Sequence, residues 1–372
     1  MSITFMAEER ATFERLFPGL EQRLRDTPTA VLESEDSPGL RLFREHGGPA
    51  LLVPKPYGGL DATLAESLQV QRVLGARSPS LALAANMHHC TVIAMPPCPA
   101  TEQLLTEVAG RSLYLASGFG EGRPSASVLK PMMRGERHGV GWRLNGSKRP
   151  CSLSKSMDYL TASVMLTMPG SDRTEMALAV VPADAPGIEV RPLGDTGVLP
   201  GSETHEVVLT DVDVPDAYIS SFGDPQALNT ALATAFHVFE LMVSASYTGV
   251  AGGLVEEVLR QRRGSAAERV ELAGSLEATM ASLEAVARTA LGTAGDPAGV
   301  ARALHVRYAA QRTVERVAAH ATELLGGTAY MISGFSTTYF TAARALALHP
   351  PARSVMAEPL DRFLLGEPLV IP

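Results

Sequence analysis

Cysteine, tryptophan and charge are all scarce in this chain of 372 residues. The three cysteines, Cys90, Cys98 and Cys151, include no Cys-x-x-Cys pair. That spacing argues against a disulfide framework and against a thiolate zinc site, so no metal is expected. Trp142 is the single tryptophan, and aromatic residues make up only 5%. Charged residues make up 19% and hydrophobic ones 45%, which excludes a disordered chain and points to buried helix faces or subunit contacts. Acidic residues outnumber basic ones 40 to 32, leaving a net charge of −8 and no basic footprint for nucleic acid or an anionic membrane. No unbroken run of about 18 apolar residues occurs, so no spanning helix is expected. The first residues, MSITFMAEERATF, lack a basic stretch followed by an apolar core, and a cytoplasmic location is expected.

Three textures follow one another along the chain. Up to about residue 110, apolar residues recur at helical spacing, as in Phe13, Leu16, Phe17, Leu20 and Leu24. From 111 to 222 the pattern is strand-like, with short apolar runs at Leu113–Ser117, Trp142–Asn145, Tyr159–Leu166, Met176–Val181, Ile188–Pro192 and Glu206–Leu209. Pro-Gly pairs punctuate them. From 223 to 372 the chain is helical again, with Ala- and Leu-rich stretches at Ala227–Arg263, Ala266–Leu291, Ala298–Leu325 and Ser336–Leu348. These textures predict an α+β chain of three domains: a helical domain over 1–110, an antiparallel β-barrel or sandwich over 111–222, and a four-helix bundle over 223–372.

Four stretches in this order resemble the acyl-CoA dehydrogenase superfamily. The first is FREHGGPALLVPKPYGGLD, Phe43–Asp61, followed by the apolar helix SLALAANMHH. The second is LNGSK, Leu144–Lys148, running on through Arg149-Pro150-Cys151-Ser152, where the family usually has Trp-Ile-Thr/Ser-Asn. The third is the strand HEVVLTDVDVP, His205–Pro215; the fourth is GVAGGLVEEVL with the basic segment after it and the later ELLGGT. The resemblance implies FAD and a homodimer or homotetramer. Ser117 and Ser152 would contact the isoalloxazine, with Cys151 beside it; a turn serine is the other reading of Ser152. Arg262 and Arg263 would grip a phosphate, or else cap a solvated helix end, since arginine's planar fork suits a diphosphate. Gly326 and Gly327 would let the backbone approach the cofactor.

The resemblance further implies oxidation of the α–β bond of an acyl thioester, carried by CoA or by an acyl-carrier protein, with an electron-transfer partner or oxygen as acceptor. A carboxylate base is needed for that chemistry. The loop that usually holds it reads His349-Pro350-Pro351-Ala352-Arg353 here, with no glutamate. Glu240, a lone acid among apolar neighbours on the first bundle helix, is the candidate base, and His349 is the other catalytic candidate, or a helix-end cap. Flavin monooxygenases on the same fold lack the glutamate and use histidines and serines; there His88, His89 and His349 would serve, the first two in the substrate pocket. A family member that has lost its base and acts as a binding or assembly subunit is the third reading.

Overall fold

The computed structural model describes residues 3–96, 98–122, 131–170, 173–194, 197–221, 225–290 and 296–371. The amino-terminal helices are α1 (Ala7–Leu16), α2 (Leu20–Asp26), α3 (Thr29–Leu32), α4 (Gly39–Glu45), α5 (Leu64–Arg77), α6 (Pro79–Ala94) and α7 (Pro99–Arg111). Between α4 and α5 the chain makes short 3-10 turns at Gly48–Ala50 and Lys55–Tyr57, and Gly58, at φ 84°, closes the second. Thr63 starts α5 with a reciprocal cap: its hydroxyl accepts from the Glu66 N–H, and the Glu66 carboxylate accepts from the Thr63 N–H. The α6 helix is buried on nearly every side, which matches its lack of charge.

The strands are β1 (Leu115–Gly118), β2 (Arg134–His138), β3 (Gly141–Cys151), β4 (Tyr159–Thr167), β5 (Thr174–Pro182), β6 (Ile188–Arg191), β7 (His205–Pro215) and β8 (Ile219–Ser221). They form one sheet in the order β6-β7-β3-β2-β4-β5-β8, and β1 pairs with β4 outside that path. The expected antiparallel barrel or sandwich is corrected here in its strand directions. Both β1 and β2 run parallel to β4, so the sheet is mixed, and its path among the described residues is open. Parallel neighbours need long connections rather than hairpins, and both strands reach β4 that way. The polar strand β2, RGERH, carries no apolar alternation and was not expected. The β3 strand runs well past the expected Asn145, because register shifts after Leu144 and Lys148 let its glycine- and proline-bearing end stay paired with β7.

The carboxyl-terminal helices are α8 (Pro225–Arg260), α9 (Ala266–Ala290), α10 (Pro297–Leu325), α11 (Gly327–Ile332), α12 (Gly334–Ala343) and α13 (Arg353–Leu364). Three of the four expected long helices are present; Leu291 and Phe222, expected boundaries, lie outside the described residues. The fourth is short: α12 ends at Ala343 and tightens into a 3-10 turn over Arg344–Leu348. The segment Thr234–Arg260 of α8 is long and apolar enough to cross a membrane by composition, yet 94% of its most apolar stretch is buried, as in the core helix of a bundle. One apolar core runs through the amino-terminal helices, the sheet and the bundle, and a smaller cluster joins α10 to α13.

The central crossing is α5 on α8, and two glycines make it possible. A Cβ on Gly75 would lie 2.0 Å from the Ser246 carbonyl oxygen, and one on Gly249 would lie 2.0 Å from that of Arg72. Backbone therefore meets backbone, which fixes where α8 places its side chains.

Candidate active site

Two helical turns separate Glu240 and Tyr247 on α8, so the helix presents both on one face. Across from them, α10 carries Arg307 on its buried stripe, between Leu304 and Tyr308. Arg307 is 1% exposed and Glu240 is 0% exposed. Arg307 Nη1 lies 2.6 Å from Glu240 Oε2, but off-axis, and neither Glu240 oxygen accepts a well-directed hydrogen bond among the described residues. Burial pushes the Glu240 carboxyl up to about 8, and the guanidinium pulls it back only in part. Arg307 also donates to three backbone carbonyls beyond α12: Leu346 at 3.3 Å, His349 at 2.6 Å and Pro351 at 3.1 Å. One buried cation thus binds the carboxyl-terminal turn to the core, and Glu240 becomes its counter-charge as the pH rises through the raised value of that carboxyl. Glu240, expected as the base, is thus placed in the core against Arg307, with both carboxyl oxygens buried.

The clamp delivers His349. Its ring packs edge-on to Phe239, with centroids 6.1 Å apart, and against Tyr247, and its Nε2 lies 2.8 Å from the Tyr247 hydroxyl. Burial, helped by the Arg307 charge, lowers the imidazole to about 4, so it is neutral at ordinary pH. His349 stands at the end of the Arg344–Leu348 turn, as the helix-end reading had it, but its neutral ring is turned onto Phe239 and Tyr247.

His88 and His89 are placed otherwise than expected. Both are completely buried, and burial lowers them to about 4 and about 3. The Leu115 N–H donates to His88 Nδ1 at 3.0 Å, so Nε2 carries the proton and donates to the Pro49 carbonyl at 2.9 Å. His89 Nε2 donates to the Gly48 carbonyl at 3.1 Å. The pair pins α6 to the Gly48–Ala50 turn and to β1, and is part of the frame instead of the pocket wall. His88→Leu is expected to destabilise the fold by roughly 2–4 kcal/mol, because it orphans a buried donor and a buried acceptor. Urea unfolding checks this; a loss of substrate binding with unchanged stability would instead return His88 to the pocket.

The backbone at Gly120 and Glu121 pairs with Arg149 near the end of β3, which brings the segment after β1 beside the segment that leads to Cys151 and Ser152. Ser117, near the end of β1, is 8% exposed, and its hydroxyl makes no hydrogen bond among the described residues. Ser152 is engaged differently. Its Oγ lies 2.8 Å from Thr204 Oγ1, which lies 2.8 Å from Ser202 Oγ, and Ser202 donates to the Leu199 carbonyl at 2.7 Å. That carbonyl can only accept, so each hydroxyl donates toward it, and Ser152 is left with free lone pairs. Ser152 is thus set to accept from a ligand N–H rather than to donate. Cys151 is corrected: its side chain is 0% exposed and burial pushes the thiol up to about 12, so it faces the core.

Arg262 and Arg263 are exposed in the turn between α8 and α9, and Arg269 braces that turn by donating to the Gly264 carbonyl at 2.5 Å. A Cβ on Gly264 would meet Leu324, so this turn, Gly326 and Gly327 share one end of the bundle. Both of those glycines have open space where a Cβ would be. The helical rise puts this end about 30 Å from Glu240 along α8. The predicted residues therefore fall into four groups: Ser117, Cys151 and Ser152 of the β-domain, the Glu240–His349 clamp, the basic turn with its glycines, and the buried His88–His89 pair. Among the described residues no His, Cys, Asp and Glu side chains cluster as metal ligands. Arg307, Tyr247 and Thr204 were not singled out from the sequence. Arg307 was legible, as a lone cation on the apolar stripe of α10 facing a lone acid in the apolar run of α8.

No protein-family model matches the chain. It is 41% identical to an isobutylamine N-hydroxylase from Streptomyces viridifaciens over 97% of this chain and 98% of that enzyme. Among solved structures it is similar to KijD3 in complex with FMN and dTDP-3-amino-2,3,6-trideoxy-4-keto-3-methyl-D-glucose, at a TM-score of 0.82 and 19% identity over 96% of this chain and 94% of that one. It is also similar to FMN-bound TdsC from Paenibacillus sp. A11-2, at 0.81 and 17% over 100% and 99%. XiaF from Streptomyces sp., in complex with FADH2 and glycerol, aligns at 0.75 and 19% over 99% and 97%. The chain shares the fold of these structures.

Proposed function

From the premise that the chain belongs to the family of the isobutylamine N-hydroxylase, we propose that it is a flavin-dependent monooxygenase that hydroxylates the nitrogen of a small aliphatic amine. This reading replaces the expected thioester dehydrogenation. The observation that carries it is the Glu240–Arg307 pair: the acid that would serve as base is bound to the clamp, and a neutral histidine stands at the place the clamp builds. The net reaction balances as amine, O2 and reduced flavin giving hydroxylamine, water and oxidised flavin. When bound, reduced flavin supplies the two electrons, and a separate reductase is the partner that restores them.

The chain's residues fit a flavin edge. The unpartnered Ser117 hydroxyl and the Ser152 lone pairs offer complementary polar contacts at the end of β1 and β3. The neighbours carry FMN or FADH2, so the cofactor is proposed as flavin, with FAD no longer preferred over FMN. Arg262 and Arg263, about 30 Å from Glu240 along α8, are assigned to a phosphate of a flavin held by a second copy in a homo-oligomer. His349 is the proposed catalytic donor. Phe239 and Tyr247 shield it, and a dry apolar surround favours a neutral amine, the form whose lone pair attacks oxygen.

The test supplies purified protein with FMN or FAD, a flavin reductase, NADH, isotopically heavy O2 and isobutylamine. The expected product is the hydroxylamine carrying one heavy oxygen. Bleaching of oxidised flavin by an acyl-CoA under anaerobic conditions, without amine turnover, would overturn the proposal.

A further inference from the structure

The clamp leaves one feature that the reaction alone does not require: a buried phenol whose only partner is the candidate histidine. Tyr247 is 1% exposed, and its hydroxyl meets only His349 Nε2, at 2.8 Å, among the described residues. Two arrangements satisfy that distance. In one, the imidazole Nε2–H donates to the phenol oxygen. The phenol proton then has no acceptor among the described residues, which is costly for a donor on a side chain 1% exposed. In the other, the phenol donates to a bare Nε2, and both groups are satisfied. The imidazole proton then sits on Nδ1, which has no hydrogen-bond partner among the described residues and is not among the sealed, unpaired atoms of the core. The ring cannot swing to escape this choice. Arg307 holds the carbonyls of Leu346, His349 and Pro351, and Phe239 and Tyr247 flank the imidazole.

We propose that Tyr247 is a positioning residue: its O–H donates to His349 Nε2 and fixes the Nδ1–H tautomer, so that His349 presents a hydrogen-bond donor to the ligand atoms of the site. A histidine locked this way donates and does not act as a base. What that donor serves, an oxygen at the reacting centre, rests on the N-hydroxylase reading; the tautomer itself does not. Burial keeps the Tyr247 phenol protonated far above neutrality and the imidazole neutral, so the arrangement holds across the working pH range.

The test reads the tautomer directly, by NMR of protein labelled with heavy nitrogen in histidine, in the flavin-loaded form. His349→Gln identifies the His349 signals by their loss. The expected result is a protonated Nδ1 and a bare Nε2 in the wild type. In Tyr247→Phe, which keeps the ring and removes only the hydroxyl, the proton is expected to move largely to Nε2. Amine hydroxylation in Tyr247→Phe is expected to fall at least about 10-fold in kcat with little change in KM for the amine. A wild type carrying the proton on Nε2 overturns the proposal, whether or not the variant folds. An unchanged pattern in Tyr247→Phe overturns it too. Should the wild type give the expected tautomer but turn over no amine, the positioning role stands and the N-hydroxylase reading falls.

Discussion

Replacing Arg307 with methionine is expected to destabilise the protein by about 3–5 kcal/mol and to abolish turnover while the rest of the fold persists. The substitution removes three hydrogen bonds to the carbonyls of Leu346, His349 and Pro351 and, where the pH is high enough to ionise the fully buried Glu240, its counter-charge. The loss should grow with pH. Glu240 already titrates above its ordinary value in the fold, and without the guanidinium nothing opposes burial. A carboxyl raised in the folded state contributes stability that is complete below its unfolded value and is lost as pH rises through its folded value. The gap between wild type and variant, measured by urea unfolding, is thus expected to be larger at about pH 9 than at about pH 5. At about pH 9 the double variant Glu240→Gln/Arg307→Met should recover a large part of the stability, since removing both members of a buried pair costs less than stranding one. It should not recover activity, because the turn that carries His349 is still unclamped. Equal stability losses in the single and double variants would sink the ion-pair account.

Gly249→Ala is the second large effect. The new methyl would sit 2.0 Å from the Arg72 carbonyl, in a crossing where backbone meets backbone. Overpacking in a core usually costs about 1–3 kcal/mol, and a clash with main chain, which cannot rotate away, should exceed the upper end of that range. Gly274→Ala is the paired control. Gly274 lies inside α9 with open space around its Cβ direction, so alanine there should stabilise by roughly 0.5–1 kcal/mol through helix propensity alone. Thermal unfolding of the two variants should move in opposite directions; the same sign for both would mean that α5 and α8 do not cross as described.

The regular elements were largely legible in the sequence because their signals are local. Residues of β7, HEVVLTDVDVP, alternate on either side of a slip at Thr210-Asp211 and stop at Pro215, where the structure also ends it. Starts and ends of α8, α9 and α10 were readable within a few residues from their Ala- and Leu-rich periodicity. By contrast β2 escaped notice, since a polar five-residue strand has nothing to alternate and is held by its neighbours β3 and β4. The mixed direction of the sheet was equally hidden, because strand direction depends on connections that no local pattern encodes.

For the site, the sequence by itself determined which chemistry-bearing residues exist: a lone acid at Glu240, a loop histidine where a glutamate was sought, and serines at the ends of two strands. It also established that the loop carries no base, which kept a monooxygenase among the readings. Only the tertiary structure decided what those residues do. His88 and His89 look like pocket residues until both are found bonded to backbone carbonyls in the core. Glu240 looks like a lone acid among apolar neighbours until Arg307, far along the chain, lies 2.6 Å away. Cys151 looks like a flavin neighbour until its thiol turns inward. The physical reason is common to all of these. A titratable side chain takes its role from the partners and the dielectric around it, and those come from helices and strands distant in sequence, brought together only by packing.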